Sequence, residues 1–529
     1  MSYIPGLKIA FPWDKYNTTV NTPMSLFYGN PIIHADYADP DIIRTGGDFW
    51  LVSSSFNHVP GLPLLHSRDL IHWTLVNHVV PRLPFAGYDG VQPGKGIWAP
   101  SIRYHAGRYW VFFSIPDDGI FVCHSADPLG EWSAPHCLKQ VSGWIDPCPL
   151  WDDDGRAWLV HAFAYSRSGI KNQLQLIEMA PDASRLLDEG QIIFDGTPSH
   201  PTLEGPKLYK RGGEYWIFAP AGGVKRGWQT VLRAARLPGP WESRDVLHQG
   251  ETPINGPHQG GWVALENGEH WFIHFQDKGL YGRVVHLQPL RWREDGWPLP
   301  GEPSDEPGKG QPVLTHRLPG LPYSPCEIQT SDDFADGRPG KQWQWQANPA
   351  DDWVNPGRPG LRLRCAPMAA WDGAPALYTT PQLLLQKFPA VRFSVCCGVT
   401  PDFQRSGDEG GLVVYGERYA ALALHQGQDR LLLGLRHGWI SERGILTEHW
   451  VPVADITDCP PSELACDVGY DGICHFRYRA AGQAWQAVSP RFSAGAGKWV
   501  GAKIGLYAAS SQRDSGGHVH FDSFTVDSK

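Results

Sequence analysis

Three acidic residues stand beside proline or glycine in otherwise unrelated stretches: Asp39 in HADYADPDIIRTGG, Asp146 in SGWIDPCPLWDDDG and Glu204 in HPTLEGPKLYKRGG. Proline cannot donate to a central ladder, so each acid is expected where a strand begins, with the residue before proline held extended. Carboxylates gathered in a poorly solvated pocket raise one another's pKa and leave one of them protonated at neutral pH. Glycoside hydrolysis uses such a set: a protonated acid for the leaving oxygen and an ionised partner across the sugar. The same acids would also serve as turn caps or as calcium ligands in a central channel.

What must bring them together is a repeat. RTGGDFWLVSS, YHAGRYWVFFS, WDDDGRAWLVHAF, YKRGGEYWIFAP and LENGEHWFIHFQ each place a Gly three residues before a Trp, at Trp50, Trp110, Trp158, Trp216 and Trp271. Each reads as a hairpin in which Gly supplies a positive-φ turn position and an aromatic, branched strand follows. The unit length of roughly 50 to 60 residues is that of a four-stranded propeller blade. HSRDLIHW, from His66 to Trp73, and HSADPLGEW, from His124 to Trp132, repeat in phase and read as outer strands. The expected fold is all-β, a five-bladed β-propeller, against the alternative of unrelated hairpins in a sandwich. Innermost strands line a propeller's axis, so functional groups are expected just upstream of each hairpin. Asp39, Asp146 and Glu204 occupy such positions in three blades, and Trp98-Ala99-Pro100 holds the equivalent place in the second.

Composition narrows the partners. The 529 residues carry a net charge of −9 and no basic run, which disfavours nucleic acid, whose binding draws on Lys and Arg. No stretch approaches the roughly 18 apolar residues of a membrane span, and MSYIPGLKIAFPWDKYN lacks the regions of a signal peptide. A cytoplasmic location is expected for the chain as it stands, and a secreted or periplasmic one if a signal peptide has been removed. The ten cysteines form no C-x-x-C pair, so free thiols in a reducing compartment are expected, with disulfides in the C-terminal part as the alternative. The 24 Trp, 18 Tyr and 21 Phe suit both β-sheet packing and stacking on sugar rings.

YADPDIIR, SSSFNHVPGLPLLHSRDLIHW, GIWAPSI, WIDPCPLWDDDG and LEGPKLYKRGGEYW, in this order, resemble glycoside hydrolase family 43, in particular its two-domain β-xylosidases and arabinofuranosidases. The resemblance implies a five-bladed propeller and hydrolysis with inversion. It implies Asp39 as general base, in preference to the neighbouring Asp36 and Asp41, because only Asp39 holds the D-P-x-I place. It implies Glu204 as general acid, and Asp146 as the residue that orients that acid and keeps its pKa high. Phe56 and Trp98 match positions walling the non-reducing sugar subsite, and Arg283 matches an arginine pointing into the pocket. His258 matches a channel histidine near a bound calcium or water cluster, so a structural Ca²⁺ is an open alternative to ordinary packing. No cofactor is required.

Beyond about Leu321 the G-x-x-W rhythm stops. GEPSDEPGKGQPVLTHRLPGLPYSPC is rich in Pro and Gly and reads as a surface linker. GLRLRC, VRFSVC, GLVVYG, RLLLGL and HFRYRA then alternate as in a two-sheet sandwich. The expected organisation is an N-terminal extension over 1–28, a propeller over 29–322 including the linker from about residue 300, and a β-sandwich over 323–529 packed on it. In two-domain relatives a sandwich loop sets an aromatic residue, usually Phe, over the active site, and Trp499 in GKWVGAKIGLYA is the candidate here. The expected activity is exo-acting release of xylose from the non-reducing ends of β-1,4-xylo-oligosaccharides or arabinoxylan fragments. α-L-Arabinofuranosidase or dual activity is the close alternative, and a non-catalytic sugar-binding propeller the distant one. Relatives are often dimers or tetramers, so a homo-oligomer is an open expectation.

Overall fold

The computed structural model describes residues 26–356, 359–512 and 515–528. Most of the predicted N-terminal extension, residues 1–25, lies outside the described residues. The first half of the chain forms five consecutive blades of four antiparallel strands, which open with Asp41–Thr45, Trp98–His105, Trp144–Trp151, Lys207–Arg211 and His258–Ala264, the fourth blade being extended to six strands by two short later ones. Every G-x-x-W hairpin joins the first strand of a blade to its second. His66 and His124 close third strands, and Trp73 and Trp132 precede the fourth, outermost ones.

Side chains alternate along a strand, so one strand can serve two interfaces. In Asp48–Val52, Phe49 and Leu51 pack against blade five while Trp50 and Val52 pack against blade two. Trp110 likewise meets blade three, Trp158 blade four, Trp216 blade five and Trp271 blade one. Each repeated tryptophan is thus the contact of its blade with a neighbour, which is why it recurs at one place in the unit.

The predicted linker is a correction. Gly310–Gln311 pairs with Glu302–Pro303 and runs parallel to the outer strand of blade four, and Thr315–Arg317 pairs with Phe27–Gly29. The chain entering blade one is meanwhile tied to blade five through the Ile33–Val285 bridge and the Tyr28 and Asn30 bonds to the Leu287 carbonyl. The Pro- and Gly-rich stretch therefore helps to fasten the propeller shut instead of merely leaving it.

The remaining chain folds as a sandwich. One sheet has its centre at Lys503–Ser510 and Asp408–Tyr415, and the other has Glu463–Val468 and Phe393–Gly398 at its centre. Phe393, Val395 and Cys397 alternate into a core shared with Leu412, Val414, Leu464 and Cys466. All ten cysteines are unpaired thiols. The sandwich docks on blade one through the Val59–Trp345 bridge and the Asn57 amide, which donates to the Gln346 carbonyl at 2.7 Å.

Candidate active site

The first strands of the blades begin around a single cavity of about 260 Å³, lined among others by Asp39, Phe56, Trp98, Asp146, Glu204, His258, Arg283 and Trp499. All eight residues singled out in the sequence therefore meet at one place. Asp36 and Asp41 do not line it. Asp41 is buried beneath, accepting from the Ile102 N–H and from Arg103 at 2.7 Å, and so fastens blade one to blade two.

The local backbone departs from expectation. Asp39 and Asp146, each followed by proline, are not extended but left-handed, with φ of 53° and 57°. Phe56, Thr202, Gln259 and Trp499 share the same region, with φ between 37° and 62°. Proline disfavours the right-handed α region for its predecessor, and hydrogen bonds here decide what replaces it. Ser54 Oγ donates to Asp39 at 2.6 Å, and the Gly205 N–H donates to Asp146 at 2.8 Å. The first strands of blades two, three and five also carry a register shift at their inner ends, between Trp98 and Ser101, Ile145 and Cys148, and His258 and Gly260. Such bulges turn a side chain off the sheet face and towards the axis. Non-glycine residues held left-handed are costly and cluster at functional sites.

The three carboxylates have different surroundings. Arg283 Nη1 reaches both oxygens of Asp39, at 3.1 and 3.2 Å, and its guanidinium lies 5.0 Å from the centre of the Phe275 ring. Glu204 is the most open of the three, its side chain 26% exposed, and faces His258 Nε2 at 2.9 Å. Asp146 is 3% exposed. Burial first, then the charges of Glu204 and Asp39, push its carboxyl well above the ordinary range, against the pull of the Gly205 N–H.

His258 spends one nitrogen on Glu204, and its Nδ1 is buried without a partner. Among the described residues no group of three His, Cys, Asp or Glu gathers as a metal site. One imidazole nitrogen does not fit calcium, which takes six to eight oxygen ligands.

The sandwich supplies Trp499 on the turn before Lys503–Ser510, with its ring beside Gly94. Trp98, whose Nε1 donates to the Gly94 carbonyl at 3.0 Å, carries Arg167 4.8 Å from its ring centre. Residues missed in the sequence are Thr202, Val224 and Gln259 on the wall, while Asp36, named there only as a rival to Asp39, lies behind it. None sits in a motif with chemistry of its own, although Gln259 adjoins His258.

Comparison with known proteins agrees with this architecture. The profile of glycosyl hydrolases family 43 matches residues 28–298, and that of the β-xylosidase C-terminal concanavalin A-like domain matches residues 331–527. The chain is 36% identical to a putative β-xylosidase of Xylanibacter ruminicola, over 90% of this chain and 85% of that one. It is 28% identical to a non-reducing end α-L-arabinofuranosidase of Bacteroides ovatus, over 73% of each. Among solved structures, the xylan β-1,4-xylosidase of Bacillus halodurans superposes with a TM-score of 0.82 at 25% identity, over 94% of this chain and all of that one. A propeller with its acids at the axis, a sandwich closing over them, and these matches together place the chain in glycoside hydrolase family 43, as a two-domain glycoside hydrolase.

Proposed function

We propose that the protein is an exo-acting β-xylosidase that hydrolyses with inversion, releasing xylose from the non-reducing ends of β-1,4-xylo-oligosaccharides. The observation that carries this reading is the convergence of Asp39, Asp146 and Glu204, from three blades, on a cavity walled by Trp499 from the second domain. Its 260 Å³ lies below the roughly 300–1,000 Å³ of pockets for drug-sized ligands, which suits one terminal sugar ring. The printed name of the Xylanibacter ruminicola relative supports xylose as that sugar.

In this reading Asp39, fixed by Ser54 and Arg283, takes a proton from water as the water oxygen bonds to the anomeric carbon. Glu204 gives its proton to the glycosidic oxygen as the old C–O bond breaks. Inversion places these two carboxyls roughly 6.5–9.5 Å apart, leaving room for the water. Burial and the neighbouring Glu204 charge hold the Asp146 carboxyl above its ordinary range, and Glu204, the more open of the two, is the group placed to reach the leaving oxygen. Phe56, Trp98 and Trp499 offer flat apolar faces to the ring, and Arg283 has guanidinium donors to spare for its hydroxyls. Acid and base both come from the chain, and no cofactor takes part. Unpaired thiols, with Cys137 and Cys459 exposed, support a reducing compartment.

Initial rates on an aryl β-D-xylopyranoside and an aryl α-L-arabinofuranoside test the substrate. Negligible xylosidase activity would sink the leading reading in favour of the arabinofuranosidase that the Bacteroides ovatus relative suggests. Proton NMR of the first sugar formed from a β-xyloside is expected to show the α-anomer. Glu204→Ala is expected to lower kcat by about 10²–10⁴-fold with folding intact. Undiminished turnover in that variant would overturn the assignment of the acid.

A further inference from the structure

Asp36 stands three residues before Asp39 and faces away from the cavity, only 3% exposed. One of its oxygens accepts the Arg283 N–H at 2.9 Å, and the other accepts the Gly501 N–H at 2.9 Å. One donor belongs to a residue of the pocket wall and the other to the chain just after a wall residue. Arg283 carries the guanidinium that grips Asp39, and Gly501 lies two residues beyond Trp499. A single carboxylate thus bridges the propeller and the sandwich directly behind the site.

The two backbones approach too closely for side chains. A Cβ on Gly501 would lie 2.7 Å from the Gly282 nitrogen, and a Cβ on Gly282, which has φ of +71°, would lie 2.4 Å from Asp36. The Ala502 N–H donates to the Leu280 carbonyl at 2.7 Å, adding a second tie to the same turn. Tyr281 anchors that turn to the sandwich, donating to the Val391 and Tyr470 carbonyls. Trp499 has no comparable hold of its own. It is 49% exposed, has φ of 62°, and sits on a short turn closed by the Gly497 N–H to the Val500 carbonyl. Its place over the cavity is set by what holds the residues just after it.

We propose that Asp36 is a positioning residue that sets the width of the sugar pocket, by locking the Trp499 turn of the second domain to the backbone of Arg283. This rests on Trp499 being a wall of the sugar site. Asp36 touches neither sugar nor water in the reaction, so its loss acts on binding more than on bond breaking. Asparagine in its place keeps the shape but offers one acceptor oxygen and an NH2 group, which must face one of the two backbone N–H donors.

The test is a double-mutant cycle of Asp36→Asn and Trp499→Ala in the full chain, on whichever aryl glycoside the wild type hydrolyses faster. Asp36→Asn is expected to raise KM roughly tenfold with kcat within about twofold, a split that general loss of folded protein does not produce. In the Trp499→Ala background the same change is expected to add little, because both act through one wall. Gly501→Ala attacks the contact from the other side and is expected to give the same KM effect. A full, independent effect of Asp36→Asn in the Trp499→Ala background overturns the proposal, as does a lower Tm with unchanged KM. If Trp499→Ala itself leaves KM unaltered, the pocket-wall reading fails first and takes the proposal with it.

Discussion

Asp146 is the residue whose chemistry and stability pull in opposite directions. Its carboxyl is pushed well above its ordinary value of 3.8, chiefly by burial and then by Glu204 and Asp39. Above pH 3.8 the unfolded chain therefore gives up this proton before the folded one does, and the native state loses stability as pH rises. Asp146→Asn removes that loss while keeping an oxygen for the Gly205 N–H. The variant is expected to melt a few degrees above wild type at pH 7–8, with the margin closing towards pH 4, while activity falls sharply. Calorimetry across that range checks it, and a margin independent of pH would assign the effect to something other than the proton. The convergence of the acids was legible in the sequence, because each stands beside proline or glycine just upstream of a G-x-x-W hairpin. Their left-handed backbone was not, since proline only excludes the right-handed region, and the bonds from Ser54 and Gly205 come from chain folded 15 and 59 residues away. Asp36 was visible only as a rival to Asp39, because the partners that define it, Arg283 and Gly501, lie 247 and 465 residues distant.

The blade repeat was legible because one physical demand recurs five times: a tryptophan facing the neighbouring blade after a glycine turn. Trp216, fully buried between blades four and five, shows the demand at its strongest. The short strands at Glu302–Pro303, Gly310–Gln311 and Thr315–Arg317 were not legible, being two or three residues long in a stretch whose Pro and Gly signal turns. Between blades, loops position aromatics of the cavity wall. Phe56 and Ile97 exchange backbone hydrogen bonds at 2.9 Å, which sets Phe56 beside Trp98 on the pocket wall. This crossing needs Gly96, whose φ is +86° and whose Cβ would lie 2.1 Å from the Phe56 carbonyl oxygen. Gly96→Ala adds a left-handed penalty of roughly 1–2 kcal/mol to that collision. The variant is expected to lose stability by at least this amount and to raise KM as Phe56 and Trp98 part. Chemical denaturation with parallel kinetics measures both, and unchanged values would mean that the loop pair accommodates the methyl elsewhere.

Propeller and sandwich are joined by specific polar ties, and these make the molecule's stability depend on pH in a way neither domain's core would. Asn348 Oδ1 accepts the Leu83 N–H at 2.8 Å, and its Nδ2 donates to the Leu83 carbonyl. Deeper in the interface Lys387 and Lys503 stand directly opposite each other on neighbouring sandwich strands, facing Asp36 and His58 of the propeller. Burial first and Lys387 next bring Lys503 down to about 7, with Asp36 opposing the shift. Its ordinary value is 10.5, so between these limits the unfolded chain holds a proton that the folded chain has released. Stability should climb with pH across that window, because the unfolded state binds more protons there. Lys503→Met keeps an unbranched side chain in the same space and removes the proton difference. The variant is expected to melt above wild type at pH 7 and below, with the margin shrinking as pH rises and absent by about pH 10.5. Melting curves of both proteins from pH 6 to 10.5 decide it: parallel curves would show that the lysine keeps its proton in the folded interface, held there by Asp36.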